Sequence, residues 1–171
     1  MNAIVVVDRN WAIGREGGLL FTLPTDMKRF KDLTMGGTII MGRKTLESFP
    51  GGKLLDGRRN IVISHSAENI PPEASVVKDP EAAVEKTYAD DPDKVWVIGG
   101  GSVYAALLGQ CRRVYLTKVD AVAEGEPDTY FPNLDHLPYW EVESASDPVT
   151  ENGLTYRFVQ YINRNLDGED A

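Results

Sequence analysis

The chain has 171 residues, the length of one ordinary domain, and its 42% hydrophobic and 26% charged residues are typical of a globular protein. The 18 Lys and Arg residues are outnumbered by 26 Asp and Glu residues, and the net charge of -8 argues against a surface for nucleic acid or an anionic membrane. The single cysteine, Cys111, excludes an internal disulfide framework and a cysteine-based zinc site.

Short runs rich in Val and Ile alternate with helical patterns along most of the chain. The first apolar run, residues 3–7, is too short for a signal peptide or a membrane span, so we expect a cytoplasmic protein. We predict strands over residues 4–7, 38–41, 60–64, 95–98 and 114–119. Helices are predicted over residues 25–33, from Pro80 with Asp79 as N-cap, and over residues 102–108. This alternation predicts a largely parallel sheet covered on both faces.

The last third of the chain has a different pattern. Residues 140–144 and 154–162 are predicted to be two strands of an antiparallel hairpin at one sheet edge, joined by the turn pairs Asp147-Pro148 and Asn152-Gly153. No repeat or linker divides the sequence. We therefore expect one domain over residues 1–163 and an acidic, flexible tail over residues 164–171.

Three consecutive glycines follow the predicted strand at residues 95–98. Residues 97–104 read VIGGGSVY, so a buried strand runs through the glycines into the start of a helix. Such a junction favours anion binding, because backbone can approach a ligand closely and helix N-terminal N–H groups face it. A simple tight turn would rarely need three glycines. The pattern differs from the usual Rossmann fingerprint, since Tyr104 stands where the third glycine belongs.

A second strand–glycine–helix junction lies at residues 37–45, which read GTIIMGRKT. It nearly matches a phosphate-binding loop of the Walker type, but Arg43 moves Lys44 out of register and the intervening residues are strand-like. A solvated basic helix start is disfavoured, because cations oppose the helix dipole there. Two such junctions, one of them basic, suit a ligand with several phosphates.

Several ionisable residues have an ordinary interpretation beside a functional one. Asp26 lies in the first turn of a predicted helix, where acids complement the dipole; the alternative is a buried carboxylate facing a cleft. Arg58 and Arg59 are most simply a solvated pair. His65 and His136 have no partners at ligand spacing, and we expect no metal site.

Seven segments occur in a specific order between residues 3 and 161. They read IG at 13–14; LPTDM at 23–27 with FK at 30–31; IMGRKTLES at 40–48; GRRN at 57–60; IGGGSVY at 98–104; YLT at 115–117; and EG at 124–125 with DTYFP at 128–132. Taken together and in this order, they resemble the dihydrofolate reductase family.

The resemblance implies a single-domain α/β fold with an eight-stranded mixed, mostly parallel sheet, about four flanking helices and an antiparallel C-terminal hairpin. It implies NADPH-dependent reduction of 7,8-dihydrofolate to tetrahydrofolate by a monomer that binds dihydrofolate and antifolate inhibitors, with no nucleic-acid or membrane partner. One alternative is the related pyrimidine reductase of riboflavin biosynthesis; Asp26 and Arg58 favour the pterin-glutamate substrate. Another alternative is a nucleotide-binding module without catalysis. The presence of Asp26, Thr117 and both glycine junctions argues against it.

The resemblance also implies roles for residues around the substrate. Asp26 would accept hydrogen bonds from the pterin, Thr117 would support that carboxylate, and Arg58 would bind the α-carboxylate of the glutamate tail. The implied catalytic residues are Asp26, Thr117, Phe21 and Leu19. The implied substrate pocket comprises Ile4, Val5, Asp26, Met27, Phe30, Phe49, Leu55, Arg58, Ile98, Tyr104 and Thr117.

The implied NADPH site combines both glycine junctions. Arg43 with residues 64–66 would bind the 2′-phosphate, and backbone groups of Val6 and Ile13 would hold the nicotinamide carboxamide. The full set comprises Val6, Ile13, Gly14, Gly42, Arg43, Lys44, Thr45, Ser64, His65, Ser66, Ile98, Gly99, Gly100, Gly101, Ser102, Val103 and Tyr104.

Several positions depart from the family pattern. In segment 16–23, expected to form a mobile loop over the site, Phe21 replaces the usual Trp and Leu20 the usual Pro. Asp56 replaces an apolar residue or proline near the glutamate tail, and residues 126–127 lengthen the loop before Asp128.

Overall fold

The computed structural model describes residues 1–15 and 18–166. Within these ranges the strands are β1 (Asn2–Val7), β2 (Ala12–Arg15), β3 (Gly18–Leu19), β4 (Thr38–Gly42), β5 (Arg59–Ile63), β6 (Ser75–Val77), β7 (Val95–Gly99), β8 (Arg113–Val119), β9 (Thr129–Tyr130), β10 (Trp140–Ala145), β11 (Val149–Glu151) and β12 (Leu154–Asn163). The helices are α1 (Pro24–Thr34), α2 (Arg43–Ser48), α3 (Pro80–Glu85) and α4 (Gly101–Leu107).

The central sheet has the strand order β10-β12-β8-β1-β7-β4-β5-β6, and β11 pairs with β12 beside this path. Strands β8, β1, β7, β4, β5 and β6 run parallel to one another, whereas β12 is antiparallel to both β8 and β10. The predicted fold class, an eight-stranded mixed sheet with four helices, is therefore confirmed.

The predicted elements agree with the observed ones to within one or two residues. Helix α1 begins at Pro24. Proline is favoured in the first turn of a helix, because an N–H group there would have no partner within the helix and its absence costs no hydrogen bond. Helix α3 begins after Asp79, whose side chain accepts from the N–H of Ala82 at 2.8 Å.

The C-terminal hairpin contains a strand that the sequence did not predict. The turn at Asn152 and Gly153, with φ of 52° and 77°, joins β11 to β12 rather than β10 to β12. Residues 147–148 instead lie between β10 and β11. A separate antiparallel sheet of β3, β2 and β9 was also unexpected, because its outer strands have only two residues each and carry no apolar run.

Side chains of β1 alternate between the two faces of the sheet. Ala3, Val5 and Val7 belong to the largest core cluster, whereas Ile4 and Val6 pack against two smaller clusters. Since Val6 pairs with Thr117 of β8, the face that carries Ile4 and Val6 also presents Thr117. This face positions the site described below.

Two predicted segments fall partly outside the described residues: positions 16 and 17 of the loop 16–23, and positions 167–171 of the tail. In the described part of the tail, the backbone N–H of Arg164 donates to the carbonyl of Tyr139 at 2.7 Å, and the Arg164 guanidinium pairs with Glu141 at 2.8 Å. No helix within residues 1–15 and 18–166 has both the length and the apolarity that a membrane crossing needs.

Candidate active site

Asp26 is held against the central sheet by Thr117. It is the third residue of α1, and its Oδ1 accepts a hydrogen bond from Thr117 Oγ1 at 2.5 Å. Thr117 lies in β8 and only 2% of it is exposed. Two residues 91 positions apart are thus brought together, one from a helix start and one from the sheet interior.

The surroundings of Asp26 shift the pKa of its carboxyl. Burial raises the pKa of its carboxyl, while the Thr117 hydrogen bond and the nearby Arg29 guanidinium lower it and the Glu151 carboxylate raises it further. Burial is the largest of these effects and the pKa is raised overall. Partly buried carboxyl groups with a raised pKa are typical of binding and catalytic sites.

Arg29 also belongs to this site, and the sequence did not point to it. Its Cζ lies 4.2 Å from the ring centroid of Phe158 and 5.8 Å from that of Tyr115. Burial lowers the pKa of the Arg29 guanidinium, which Asp26 partly offsets. The only feature of the sequence that could have pointed to Arg29 was its spacing from Asp26, because residues three positions apart lie on the same face of a helix.

Four of the predicted pocket residues lie in one apolar group. They are partly buried and pack against the cluster of Ile39, Met41, Leu46, Val62 and Trp96. These four are Ile4, Phe49, Leu55 and Ile98. Phe30 is half-buried on α1. Met27, predicted as an apolar wall, is 56% exposed and is not packed in that group.

Val5 and Tyr104 are placed differently from the other predicted substrate residues. Both are buried in the largest core cluster, with 7% and 5% exposed. The Tyr104 hydroxyl donates to the carbonyl of Ile4 at 2.7 Å, which ties α4 to β1. The side chains of Val5 and Tyr104 therefore belong to the core that supports β1.

Arg58 and Arg59 point to different partners. Arg58 Nη1 donates to Thr34 Oγ1 at 3.2 Å and Nε donates to the carbonyl of Asp56 at 3.0 Å, so it lies beside the end of α1. Burial lowers the pKa of the Arg58 guanidinium. Arg59 instead contacts Asp90 at 3.4 Å. Only Arg58 therefore adjoins the helix that carries Asp26.

The two glycine junctions lie side by side. A Cβ added at Gly42 would be 3.3 Å from Val103 Cγ2 and 3.9 Å from the nitrogen of Gly100. One added at Gly99 would be 3.3 Å from Thr45 Oγ1. Gly42 and Gly100 are the N-caps of α2 and α4, and neither helix has a side-chain cap. Two helix starts with uncapped N–H groups therefore adjoin each other.

We call the two adjoining helix starts, residues 42–45 and 99–103, the cradle. Its outer part is closely packed on one side and exposed on the other. A Cβ at Gly101 would lie 2.6 Å from Thr129 Cγ2, so only glycine fits there without a shift. Lys44 and Ser102 are exposed.

Arg43 connects the glycine junction at residues 37–45 to the loop after β5. Its Nη1 donates to Ser64 Oγ at 3.2 Å and to the carbonyl of Ser66 at 3.0 Å, Nη2 donates to the carbonyl of Glu68, and Nε pairs with Glu47 at 3.0 Å. His65 is exposed in the same loop. The structure thus brings together the predicted residues Arg43 and 64–66.

The remaining predicted residues lie around β1 and β2. Val6 and Phe21 pack against the cluster of Leu23, Val119 and Tyr156. Ile13 and Gly14 are buried in β2. Leu19 is 76% exposed.

Comparison with known proteins agrees with this geometry. A family model described as dihydrofolate reductase matches residues 1–163. The chain is 35% identical to the dihydrofolate reductase of Schistosoma mansoni, covering 94% of this chain and 95% of the relative. It is 38% identical to that of Mycobacterium tuberculosis, covering 87% and 89%. It is 34% identical to the type 3 enzyme of Salmonella typhimurium, covering 93% and 95%. This chain belongs to the dihydrofolate reductase family.

Proposed function

We propose that this protein catalyses the NADPH-dependent reduction of 7,8-dihydrofolate to 5,6,7,8-tetrahydrofolate. The observation that carries the proposal is the partly buried Asp26 carboxylate, fixed at 2.5 Å by the Thr117 hydroxyl. When bound, NADPH supplies the hydride, and the second hydrogen reaches N5 of the pterin as a proton. The protein must therefore bind a flat heterocycle, orient it and stabilise positive charge on it.

Asp26 meets the first two needs. Its carboxylate accepts hydrogen bonds from the ring N–H and the exocyclic amino group of the pterin, a charge-assisted pair that fixes orientation. Thr117 holds the carboxylate in place for this contact. The proton reaches N5 from water, and Asp26 acts on this step through its negative charge rather than as the direct donor.

Apolar residues and Arg58 bind the rest of the substrate. Ile4, Phe49, Leu55 and Ile98 line one side of the slot and exclude water from the reacting atoms. The Arg58 guanidinium, anchored by Thr34, binds the α-carboxylate of the glutamate tail. Classical antifolates, which share the heterocycle and the glutamate, use the same contacts.

Leu19 and Phe21 cover the reacting rings. Phe21 presents no indole N–H to hold an ordered water, so closure over the site depends on apolar contact. The backbone groups of Val6 and Ile13 would hold the nicotinamide carboxamide.

The chemistry of the cradle fits NADPH. Two adjacent helix starts without side-chain caps would offer N–H groups to the diphosphate. Arg43, with Ser64 and Ser66 beside it, offers a guanidinium and hydroxyls to the 2′-phosphate. Lys44, Thr45, His65 and Ser102 complete the polar lining.

The test is to follow the loss of NADPH absorbance with and without dihydrofolate. Rapid loss only with dihydrofolate supports the proposal. Turnover of a ribosylaminopyrimidine instead would identify the riboflavin-pathway reductase, and NADPH binding without turnover would identify a binding module. Either outcome refutes the proposed function.

We further propose that the enzyme acts as a cytoplasmic monomer with residues 1–163 as its reductase domain and residues 164–171 as an acidic tail. The family model ends at residue 163, and the single Cys111 is buried and free, which suits a reducing compartment. Sedimentation of the purified protein tests the monomer.

A further inference from the structure

The helix that carries Asp26 begins without a cap of its own. Its N-cap residue, Leu23, offers no side-chain hydrogen bond, and Pro24 has no N–H to donate. The cap comes instead from 126 positions later in the chain. The Thr25 N–H donates to Glu151 Oε1 at 3.1 Å, and the Thr25 hydroxyl donates to Glu151 Oε2. One carboxylate thus binds both polar groups of the residue before Asp26.

Glu151 is itself held in place. It is the last residue of β11 and pairs with Leu154 of β12 across the turn at Asn152 and Gly153. The hydroxyl of Tyr156, a fully buried residue, donates to Glu151 Oε1 at 3.3 Å. The carboxylate therefore has three donors around it, two from α1 and one from β12.

The same strand β12 also supports the other partner of Asp26. Phe158 of β12 pairs with Thr117 of β8. Asp26 is consequently fixed from two directions: through Thr25 by Glu151 at the hairpin, and directly by Thr117 on the adjacent strand. A shift of α1 relative to β12 would break one of these contacts.

We propose that Glu151 is a positioning residue for the reaction: by binding Thr25 it fixes the start of α1, and so holds the Asp26 carboxylate in register with Thr117 and the bound heterocycle. This proposal rests on the proposed function of Asp26. It assigns a mechanistic role to the C-terminal hairpin, which contributes no residue to the predicted substrate or cofactor sets.

Glu151 also acts on Asp26 through its charge. The charged and polar groups facing Asp26 are Arg29 from its own helix, Thr117 from β8, Glu151 from β11 and Tyr156 from β12. The Thr117 and Arg29 groups lower the pKa of Asp26, while Glu151 raises it. Position and charge can be separated, because glutamine keeps an acceptor oxygen without the charge and alanine removes both.

The experiment compares Glu151→Ala and Glu151→Gln with the parent enzyme in steady-state and single-turnover assays across pH. We expect Glu151→Ala to lower kcat by about 10- to 100-fold, the scale for a misplaced catalytic group, with NADPH affinity unchanged. Glu151→Gln should lose less kcat. Its pH profile should shift towards lower pH, because the pKa of Asp26 falls when the neighbouring anion is removed.

Glu143→Gln is the matched control. Glu143 lies on β10, next to β12, and pairs with Arg113 at 3.0 Å, so its substitution removes the charge of another hydrogen-bonded glutamate at a distance from the site. It should leave kcat and the pH profile as in the parent. Thr25→Val and Thr25→Ser provide an independent pair: the serine variant keeps the hydroxyl and the rate, whereas the valine variant loses rate as Glu151→Ala does.

Circular dichroism and NADPH affinity identify folded variants, and Thr25→Val carries the test if Glu151→Ala fails to fold. Parent-like kcat and pH profile in folded Glu151→Ala and Thr25→Val would overturn the positioning role while leaving the proposed function intact. A parent enzyme that does not reduce dihydrofolate would overturn both.

Discussion

Replacing Asp26 by asparagine changes the charge of the side chain while keeping its shape. The amide oxygen can still accept the hydrogen bond from Thr117 Oγ1, now 2.5 Å from Asp26 Oδ1. In that orientation the amide NH2 occupies the place of the second carboxylate oxygen and faces the N–H donors of a bound pterin. The amide N–H of the variant and an N–H of the pterin would then face each other, and the pterin N–H would have no acceptor.

The cost follows from the hydrogen bonds lost. A hydrogen bond to a charged group contributes about 1.5–3 kcal/mol. Because the neutral amide replaces one acceptor by a donor and removes the charge from the other, the two contacts together should lose up to about 3–6 kcal/mol of transition-state stabilisation. At about 1.4 kcal/mol per tenfold, the hydride-transfer step should slow by about 10²- to 10⁴-fold. Affinity for NADPH should change little, because the cradle lies at α2 and α4.

Single-turnover consumption of NADPH measures this step, and fluorescence titration measures NADPH affinity. A variant that reduced dihydrofolate at nearly the parent rate at neutral pH would refute the assigned role of Asp26. Equal losses in NADPH affinity would instead indicate a general disturbance of the fold.

The same substitution should stabilise the ligand-free protein. Because burial raises the pKa of Asp26, the folded state binds its proton more tightly than the unfolded chain. Stability therefore falls as pH rises from the ordinary carboxyl pKa through the raised one, and the penalty is fully present above it. Asparagine carries no such penalty, so the free energy of unfolding at neutral pH should rise by about 0.5–2 kcal/mol. Denaturation midpoints that converge at low pH and separate at neutral pH would support this; a variant less stable at neutral pH would contradict it.

Three further substitutions test other parts of the site. Arg58→Leu should weaken the binding of dihydrofolate and methotrexate-type ligands by about 2–5 kcal/mol, as measured by calorimetry. Arg59→Leu is the control, because the Arg59 guanidinium contacts Asp90, and it should leave this affinity unchanged. Equal losses of affinity in both variants would show that Arg58 is not part of the site. Arg43→Ala should narrow the preference for NADPH over NADH by about 10- to 100-fold in kcat/KM, and an equal loss with both cofactors would contradict 2′-phosphate binding. Gly101→Ala should destabilise the protein by about 1–3 kcal/mol, because its methyl would lie 2.6 Å from Thr129 Cγ2. Thr129→Ser in the same chain should recover part of that loss in thermal unfolding; no recovery would mean that this contact is not the cause.

Local sequence patterns were sufficient for the main strands and helices. The strands at residues 38–42 and 95–99 are continuous apolar runs, as expected for strands covered on both faces. The Asp79-Pro80 signal marked the start of α3 correctly. The strand β11 was missed because three residues carry too little periodicity, and its partner is set by the turn at Asn152 and Gly153.

The site was harder to predict because its contacts are not local. From the residues alone, Asp26 looked like a dipole-complementing acid; its functional reading needed the family resemblance, since Thr117 is 91 positions away. Arg29 was not singled out from the sequence, but its guanidinium lies over the ring of Phe158. From the residues alone, Arg58 and Arg59 were most simply a solvated pair, and it was the family resemblance that singled out Arg58. In the structure β5 starts at Arg59, and the two guanidinium groups contact different partners.

The position of β1 has a consequence for synthesis of the protein. This first strand lies between β7 and β8, so both of its neighbours come from residues 95–119. A nascent chain must keep this almost entirely apolar segment unpaired until residues 95–119 have left the ribosome. We therefore expect slow refolding, dominated by long-range pairing, and an early chain that benefits from chaperones.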